Sequence, residues 1–208
     1  ILMGVLCSVF MCGCDSDEKE TRVLRLAETY GEDHIITKAD YEFAKLVEEK
    51  SNGTIIVEVH PNSEYGDDKE VFKSVLDGSI DFASVNMSVC GSDYEATKSI
   101  ELPFLFNDSG HMWRAVQQAV GPKLDLEMST KGGKILAYMN QGARNLYTTK
   151  PVSGIEDLEN LKIRCFTPSS ISDDYISLIG AKYTEIDYNE VENALQNNTI
   201  DGAEDTLG

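Results

Sequence analysis

Positive charge is what this sequence has least of. Its 208 residues carry 18 Lys and Arg against 36 Asp and Glu, a formal charge of −18, and no stretch gathers the basic residues into a stripe. A surface of that sign repels nucleic acid phosphates, so no nucleic acid partner is expected. It gives small anions no general attraction either; an anion site has to be local, built from a few convergent cations and backbone donors. Histidine is scarce: His34, His60 and His111 stand apart, none at helical ligand spacing from another, and no paired-cysteine spacing suits zinc, so no metal is expected. Of five cysteines, Cys7, Cys12 and Cys14 crowd the start, leaving Cys90 and Cys165. Cys165 alternates with the apolar side of its strand as a small core residue would, and a Cys90–Cys165 link stays open. Nucleophile elbow, zinc-ligand helix, phosphate loop and dinucleotide fingerprint are all missing. Adjacent acids such as Asp67-Asp68 and Asp173-Asp174 read as solvated charge, so neither a catalytic residue nor a cofactor is expected.

Long apolar runs are also lacking. The one at the start, Ile1 to Phe10, is too short to span a bilayer and reads as the h-region of a secretory signal. Met11-Cys12-Gly13-Cys14 and an acidic run from Asp15 to Glu20 follow. Gly13-Cys14 resembles a bacterial lipobox, which makes Cys14 the expected lipidated residue. Residues 1–14 are then an incomplete signal peptide, and the mature protein lies outside the cytoplasm, attached to the membrane by lipid. The competing reading is a cleaved secretion signal with incidental cysteines. Hydrophobic content is an ordinary 41%, enough for a core.

Hydrophobic periodicity then alternates between strand and helix. Val23 to Ala27, Thr54 to His60 and Ile80 to Val85 read as strands. Between them lie helices with Ile36, Ala39, Phe43, Leu46 and Val47, and with Val71, Phe72, Val75 and Leu76, as their buried stripes. Asn52-Gly53 and Gly78 supply the stops, and Asp67 and Asp68 suit a helix N-terminus. This βαβαβ series predicts right-handed crossovers and a doubly wound sheet. Leu102 to Phe106 reads as a buried connection, Ser109 as a helix cap, Ile135 to Met139 as a strand and Gln141-Gly142-Ala143 as a crossing point. A second unit follows: strands at Arg144 to Thr148, around Arg164 and at Lys182 to Glu185, helices near Ile171 to Ile179 and from Glu190, and a strand-like Thr199-Ile200-Asp201. Asp187 with Glu190 predicts a capping box. The second unit has too few elements to close a core and reads as the beginning of a longer one.

Within that unit, Leu161, Ile163 and Cys165 alternate onto one strand face and Lys162, Arg164 and Phe166 onto the other. A guanidinium in a covered sheet needs a carboxylate or a water-filled cleft. No acid lies in the strand itself, so its partner is either a distant Asp or Glu or a ligand from solution; the ligand is the favoured reading.

Gly142-x-Arg144, Lys150-Pro151-Val152, Glu156-Asp157-Leu158, Leu161-Lys162-Ile163-Arg164 and Ala194-Leu195-Gln196 with Asp201-Gly202-Ala203-Glu204 resemble the DctP-type substrate-binding proteins of TRAP (tripartite ATP-independent periplasmic) transporters. In the first half, Phe43-Ala44-x-x-Val47-x-x-Lys50-x-x-Gly53, Gly66-Asp67-Asp68 and Gly78-x-Ile80-Asp81 agree. The resemblance implies an α/β fold, a two-domain periplasmic-binding-protein-like clamp of class II type. Each domain would be a doubly wound, mainly parallel sheet flanked by helices, with domain I over residues 22–141 and an incomplete domain II over 142–208. It implies a non-enzymatic monomer that captures a small carboxylate and delivers it to the membrane subunits of a TRAP permease. The alternative output is presentation of the ligand to a membrane sensor kinase.

By the same resemblance, Arg164 forms a bidentate salt bridge with the ligand carboxylate, and Arg144 adds a second cationic contact. Asn86 faces the ligand or caps the next loop; Tyr188 stacks on the ligand or packs at a helix cap. Asp68 reaches ligand hydroxyls or complements a helix N-terminus. Glu28 and His34 flank the first strand-to-helix loop, at the carboxyl end of the strand where open α/β sheets bind ligands. Asp205 stands where the family often has Asn. Facing the pocket, it disfavours a second ligand carboxylate, which points to a monocarboxylate such as a sugar acid.

Overall fold

The computed structural model describes residues 20–92, 100, 102–165 and 170–206; the expected leader with Cys14 lies outside the described residues. Among them, no helix is long and apolar enough to cross a membrane. Two sheets carry the chain. In the first, β1 (Arg22–Glu28) runs between β2 (Ile55–His60) and β3 (Phe82–Ser84), all parallel, and Leu26 pairs with both Val59 and Phe82. The connections run through α1 (Ile35–Lys50) and α2 (Asp68–Leu76). With β2 and β3 on opposite sides of β1, the crossovers diverge, and the carboxyl ends of β1 and β3 open at one edge of the sheet.

The expected stripe on α1 is rotated. Ile36, Thr37 and Asp40 are buried while Ala39 and Leu46 are exposed. The helix thus turns positions 36, 40, 43, 44 and 47 toward the sheet, where Phe43 meets Phe82 edge-on at 5.6 Å. Asp40 occupies a position that an apolar residue would fill in an ordinary amphipathic helix.

Helix α2 starts as expected. Asp67 accepts from the Glu70 N–H at 2.8 Å while Glu70 reaches back to the Asp67 N–H at 3.1 Å. Removing the cap with Asp67→Ala is expected to lower stability by about 1 kcal/mol, read as an earlier urea midpoint with an unchanged slope. An unmoved midpoint contradicts that role.

The second sheet has the order β4-β7-β5-β6, from β4 (Arg144–Thr148), β5 (Lys162–Arg164), β6 (Lys182–Thr184) and β7 (Gly202–Thr206). β5 is parallel to both β6 and β7, and β4 is an antiparallel edge. Helix α5 (Ser170–Leu178) covers one face, where Ile163, Cys165, Ile176 and Ala181 form a core. On the other side Ala194 of α6 (Val191–Gln196) packs with Ile200 and Ala203.

Several expectations differ from the structure. Thr199-Ile200-Asp201 is the turn that closes α6, with Thr199 N–H bonded to the Ala194 carbonyl; the strand is Gly202–Thr206. Asp187 forms no capping box, because the first turn is 3₁₀ and Glu190 N–H already bonds the Asp187 carbonyl. Asp108, not Ser109, caps α3 (Ser109–Ala115), accepting from His111 N–H at 2.7 Å. Ile135 to Met139 makes no ladder and lies along α4 (Gly121–Thr130), with Lys134 paired to Asp125 and the Tyr138 hydroxyl on the Gly121 carbonyl. Leu102 to Phe106 is not buried: Phe104 is 89% exposed, turned outward by its positive φ of 61°. Cys90 and Cys165 form no disulfide and sit in separate core clusters.

Candidate functional site

Arg164 ends β5 and is 2% exposed, although the same strand begins at an exposed Lys162. Strand alternation puts it on the face opposite Ile163. Register places it across from Ala203, and two residues on, on that same face of β7, stands Asp205. Its Nε donates to the Ile186 carbonyl at 3.1 Å. Burial pulls its pKa down and the negative charge of Asp205 opposes that pull. A guanidinium keeps its proton under such a shift, so a fixed positive charge stands at the inner end of the strand.

Arg144 lies on the opposite face, with Glu204. Its Nε and Nη2 hold the Glu204 carboxylate and carbonyl, and its Nη1 comes within 4.0 Å of Asp205. The two arginines therefore share Asp205 as a neighbour from two sides of one strand. Beneath Arg144 the Cys165 thiol is pushed up to about 12, by burial first and by Glu204 second, which keeps it protonated.

Across from this end of the second sheet stands the open edge of the first. Tyr30 follows β1, stacks on His34 at 3.9 Å, and meets Tyr188 edge-on at 5.3 Å. Its hydroxyl accepts from Gln141 Nε2 at 3.1 Å. Tyr30, His34, Tyr188, Asp205 and Thr206 enclose a cavity of about 130 Å³. A larger hollow of about 380 Å³ lies along α4, lined by Val116, Ile135, Leu136 and Tyr138, and holds none of the candidate residues.

The candidates thus separate. His34, Tyr188 and Asp205 line the small cavity, and Arg164 and Arg144 stand beside Asp205. His34 also caps α1, its Nδ1 accepting from Ile36 N–H at 3.3 Å. Asp68 joins two loops: it accepts from Thr29 Oγ1 at 2.8 Å and from the Asn86 N–H, and burial pushes its pKa up to about 6. Asn86 acts as a loop cap, its side-chain oxygen accepting from both N–H and hydroxyl of Ser88. Glu28 is neither surface nor cavity wall. It is 1% exposed, and its Oε1 accepts from Thr29 and Tyr30 N–H at 2.6 and 2.9 Å.

Sequence reasoning passed over Tyr30, Thr206 and Gln141. Tyr30 was within reach of the argument that selected Glu28 and His34, because it lies between them just beyond β1. Burial pushes its hydroxyl up to about 12, with Asp68, Asp205 and Glu28 adding to the shift. The cleft thus sets Tyr30 and His34, beyond β1, against Tyr188 and Asp205 of the second unit, with the two arginines beside Asp205.

The chain resembles known proteins in sequence and in fold. A solute-binding protein of Chromohalobacter salexigens is 33% identical over 171 residues, 80% of this chain and 50% of the relative. The TRAP periplasmic solute-binding protein of Xanthobacter autotrophicus, solved with bound β-D-galacturonate, superposes with a TM-score of 0.81 at 32% identity, covering 88% of this chain and 61% of that one. The counterpart from Sulfurospirillum deleyianum, solved with succinate, gives 0.83 at 29% identity over 90% and 61%. The chain thus spans about half the length of the curated relative and three-fifths of each solved one. The model of the bacterial extracellular solute-binding proteins of family 7, DctP, matches residues 26–208, and the chain belongs to that family.

Proposed function

We propose that this protein captures a small organic acid outside the cytoplasm, a sugar acid in particular, and delivers it to a TRAP membrane permease. The observation that carries this reading is the placement of Arg164: a guanidinium buried to 2% exposure at the end of β5, on the face of Asp205, which lines the cavity with Tyr30 and Tyr188. Its planar fork matches a carboxylate with two parallel charge-assisted bonds. Arg144, held by Glu204, contributes field and shape more than a second fork. Tyr30, His34 and Tyr188 offer ring faces to the C–H side of a sugar. Asp205 accepts from its hydroxyls and disfavours a second carboxylate. The relatives solved with galacturonate and with succinate bracket these two ligand types.

Residues 22–141 and 142–208 form the two arms of the clamp in this reading, with Gln141-Gly142 as the crossing between them. Gly142 has φ +97°, a conformation that glycine adopts without strain. Closure needs only that the closed form bind ligand more tightly than the open one. Extracytoplasmic location and lipid attachment through Cys14 belong to the same proposal.

A thermal-shift screen of the full-length protein tests the ligand class. D-Galacturonate and D-glucuronate are expected to raise the melting temperature, and succinate to raise it less at equal concentration, since only native-state binding stabilises. Stabilisation by neutral sugars or amines, with none by acids, would refute the reading.

A further inference from the structure

Behind the cleft, three elements turn polar side chains into one buried space. Glu28 ends β1, Ser84 pairs with it in register on β3, and Asp40 and Thr37 face it from the buried side of α1. Their exposures are 1%, 9%, 6% and 0%; Glu28 Oε2 and Asp40 Oδ2 are fully buried, and the Glu28 carboxyl meets the Asp40 carboxyl and the Ser84 hydroxyl. Two ionised carboxylates cannot share such a space without severe repulsion, whereas one proton relieves it. The O–H of one carboxyl then donates to the oxygen of the other.

The other Glu28 oxygen anchors the cleft. Oε1 accepts the N–H groups of Thr29 and Tyr30; Thr29 holds Asp68, and Tyr30 touches His34, Tyr188 and Gln141. We propose that Glu28 and Asp40 hold one proton between them and act as positioning residues for the cleft. The neutralised pair keeps the Thr29–Tyr30 turn seated; losing the proton sets two carboxylates against each other, pushes Glu28 and the turn it holds out of place against the pull of the Tyr30 N–H, and weakens capture of an anion.

The charged surroundings are consistent with this. Asp40 faces Glu28 from α1 and Asp68 acts on it from α2. Strand β3 offers only the Ser84 hydroxyl, Tyr30 lies across the turn, and His60 of β2 is turned to Glu64 and Glu58. No cation is among the described groups that act on Glu28. Burial, more than Asp40, pushes Glu28 up to about 7, and burial also raises Asp40. The sign follows: the pair keeps its proton below that range and releases it above. A bound anion disfavours the release, so affinity is full at low pH and falls as pH rises through about 7.

The test is a carboxyl ¹³C and amide ¹⁵N titration of the full chain by NMR. Glu28 is expected to titrate near pH 7 with the Thr29 and Tyr30 amides following it, and Asp40→Asn to move that midpoint to lower pH. The dissociation constant for D-galacturonate is expected to rise by up to about tenfold per pH unit above 7, the limit for one linked proton. That rise should move to lower pH together with the Glu28 midpoint in Asp40→Asn and stay in place in His60→Asn, whose ring faces Glu58 and Glu64 away from the cavity. A Glu28 midpoint in the ordinary carboxylate range, or amides that ignore it, overturns the proposal. So does a Kd that depends on sodium, with choline as control, and not on pH, since the space would then hold a cation. The binding arm rests on the proposed ligand class. A chain that binds no acid, while the amides still follow Glu28, counts against that class and supports the pair.

Discussion

Arg164→Ala is expected to weaken binding of the ligand acid by about 3 kcal/mol, more than a hundredfold, because truncating one partner of a desolvated charge pair strands the other. The size of the effect follows from where the guanidinium sits. At 2% exposure it would, in the proposed capture, meet an incoming carboxylate away from bulk water, where the attraction is poorly screened. Arg144 does not substitute for it, since its fork is engaged by Glu204 on the other side of β7. Arg164→Lys keeps the charge and loses the planar fork, so it should fall between the alanine variant and the native protein. Folding should survive: the Ile186 carbonyl loses a donor, but removing a buried charge offsets part of that loss. Calorimetric titration with D-galacturonate, alongside a denaturation curve, separates lost affinity from lost fold. Native affinity in both variants contradicts the assignment.

The second large effect concerns Gly202. β7 runs between β4 and β5, and a Cβ at Gly202 would lie 2.5 Å from the Tyr147 carbonyl and 2.9 Å from Ile163 Cδ1. The carbonyl is backbone in a paired strand and cannot swing aside. Gly202→Ala should therefore push β4 or β5 out of register and destabilise by about 3 kcal/mol, at the upper end of ordinary overpacking. A fall in melting temperature of many degrees, with weakened ligand binding in whatever folds, is the expected result. Native stability in this variant would mean that the strands are less tightly apposed.

The sheets were largely legible in the sequence because their strands are short, alternating runs set between helix signals. β4 emerged with its observed limits, and β1, β2, β3, β5 and β6 shifted by a residue or two, where hydrogen bonding rather than hydrophobicity decides the boundary; β7 begins only after the expected Thr199-Ile200-Asp201. Arg164 was legible for a sharper reason: a charge that cannot be neutralised interrupts an otherwise apolar strand, and alternation alone assigns its face. The misses have identifiable causes. α1 admits two overlapping stripes, and choosing Ala39 over Asp40 followed hydrophobicity where the fold buries a carboxyl beside Glu28. Periodicity cannot reveal that choice, because the partner lies on another element. Asp187 and Glu190 had the spacing of a capping box, but a 3₁₀ first turn redirected the N–H. Tyr30, although it lies between Glu28 and His34, was missed because the contacts that tie it to the second unit, Tyr188 and Gln141, are more than a hundred residues away.

The central claim is that the Arg164 guanidinium and a ligand carboxylate recognise each other. A cycle pairing the native protein and Arg164→Ala with D-galacturonate and its neutral counterpart D-galactose tests it directly. The prediction is a coupling of about 3 kcal/mol: galacturonate binds far more tightly than galactose to the native protein and no better to the variant. Equal discrimination by both proteins, a coupling near zero, would mean that the carboxylate is held elsewhere.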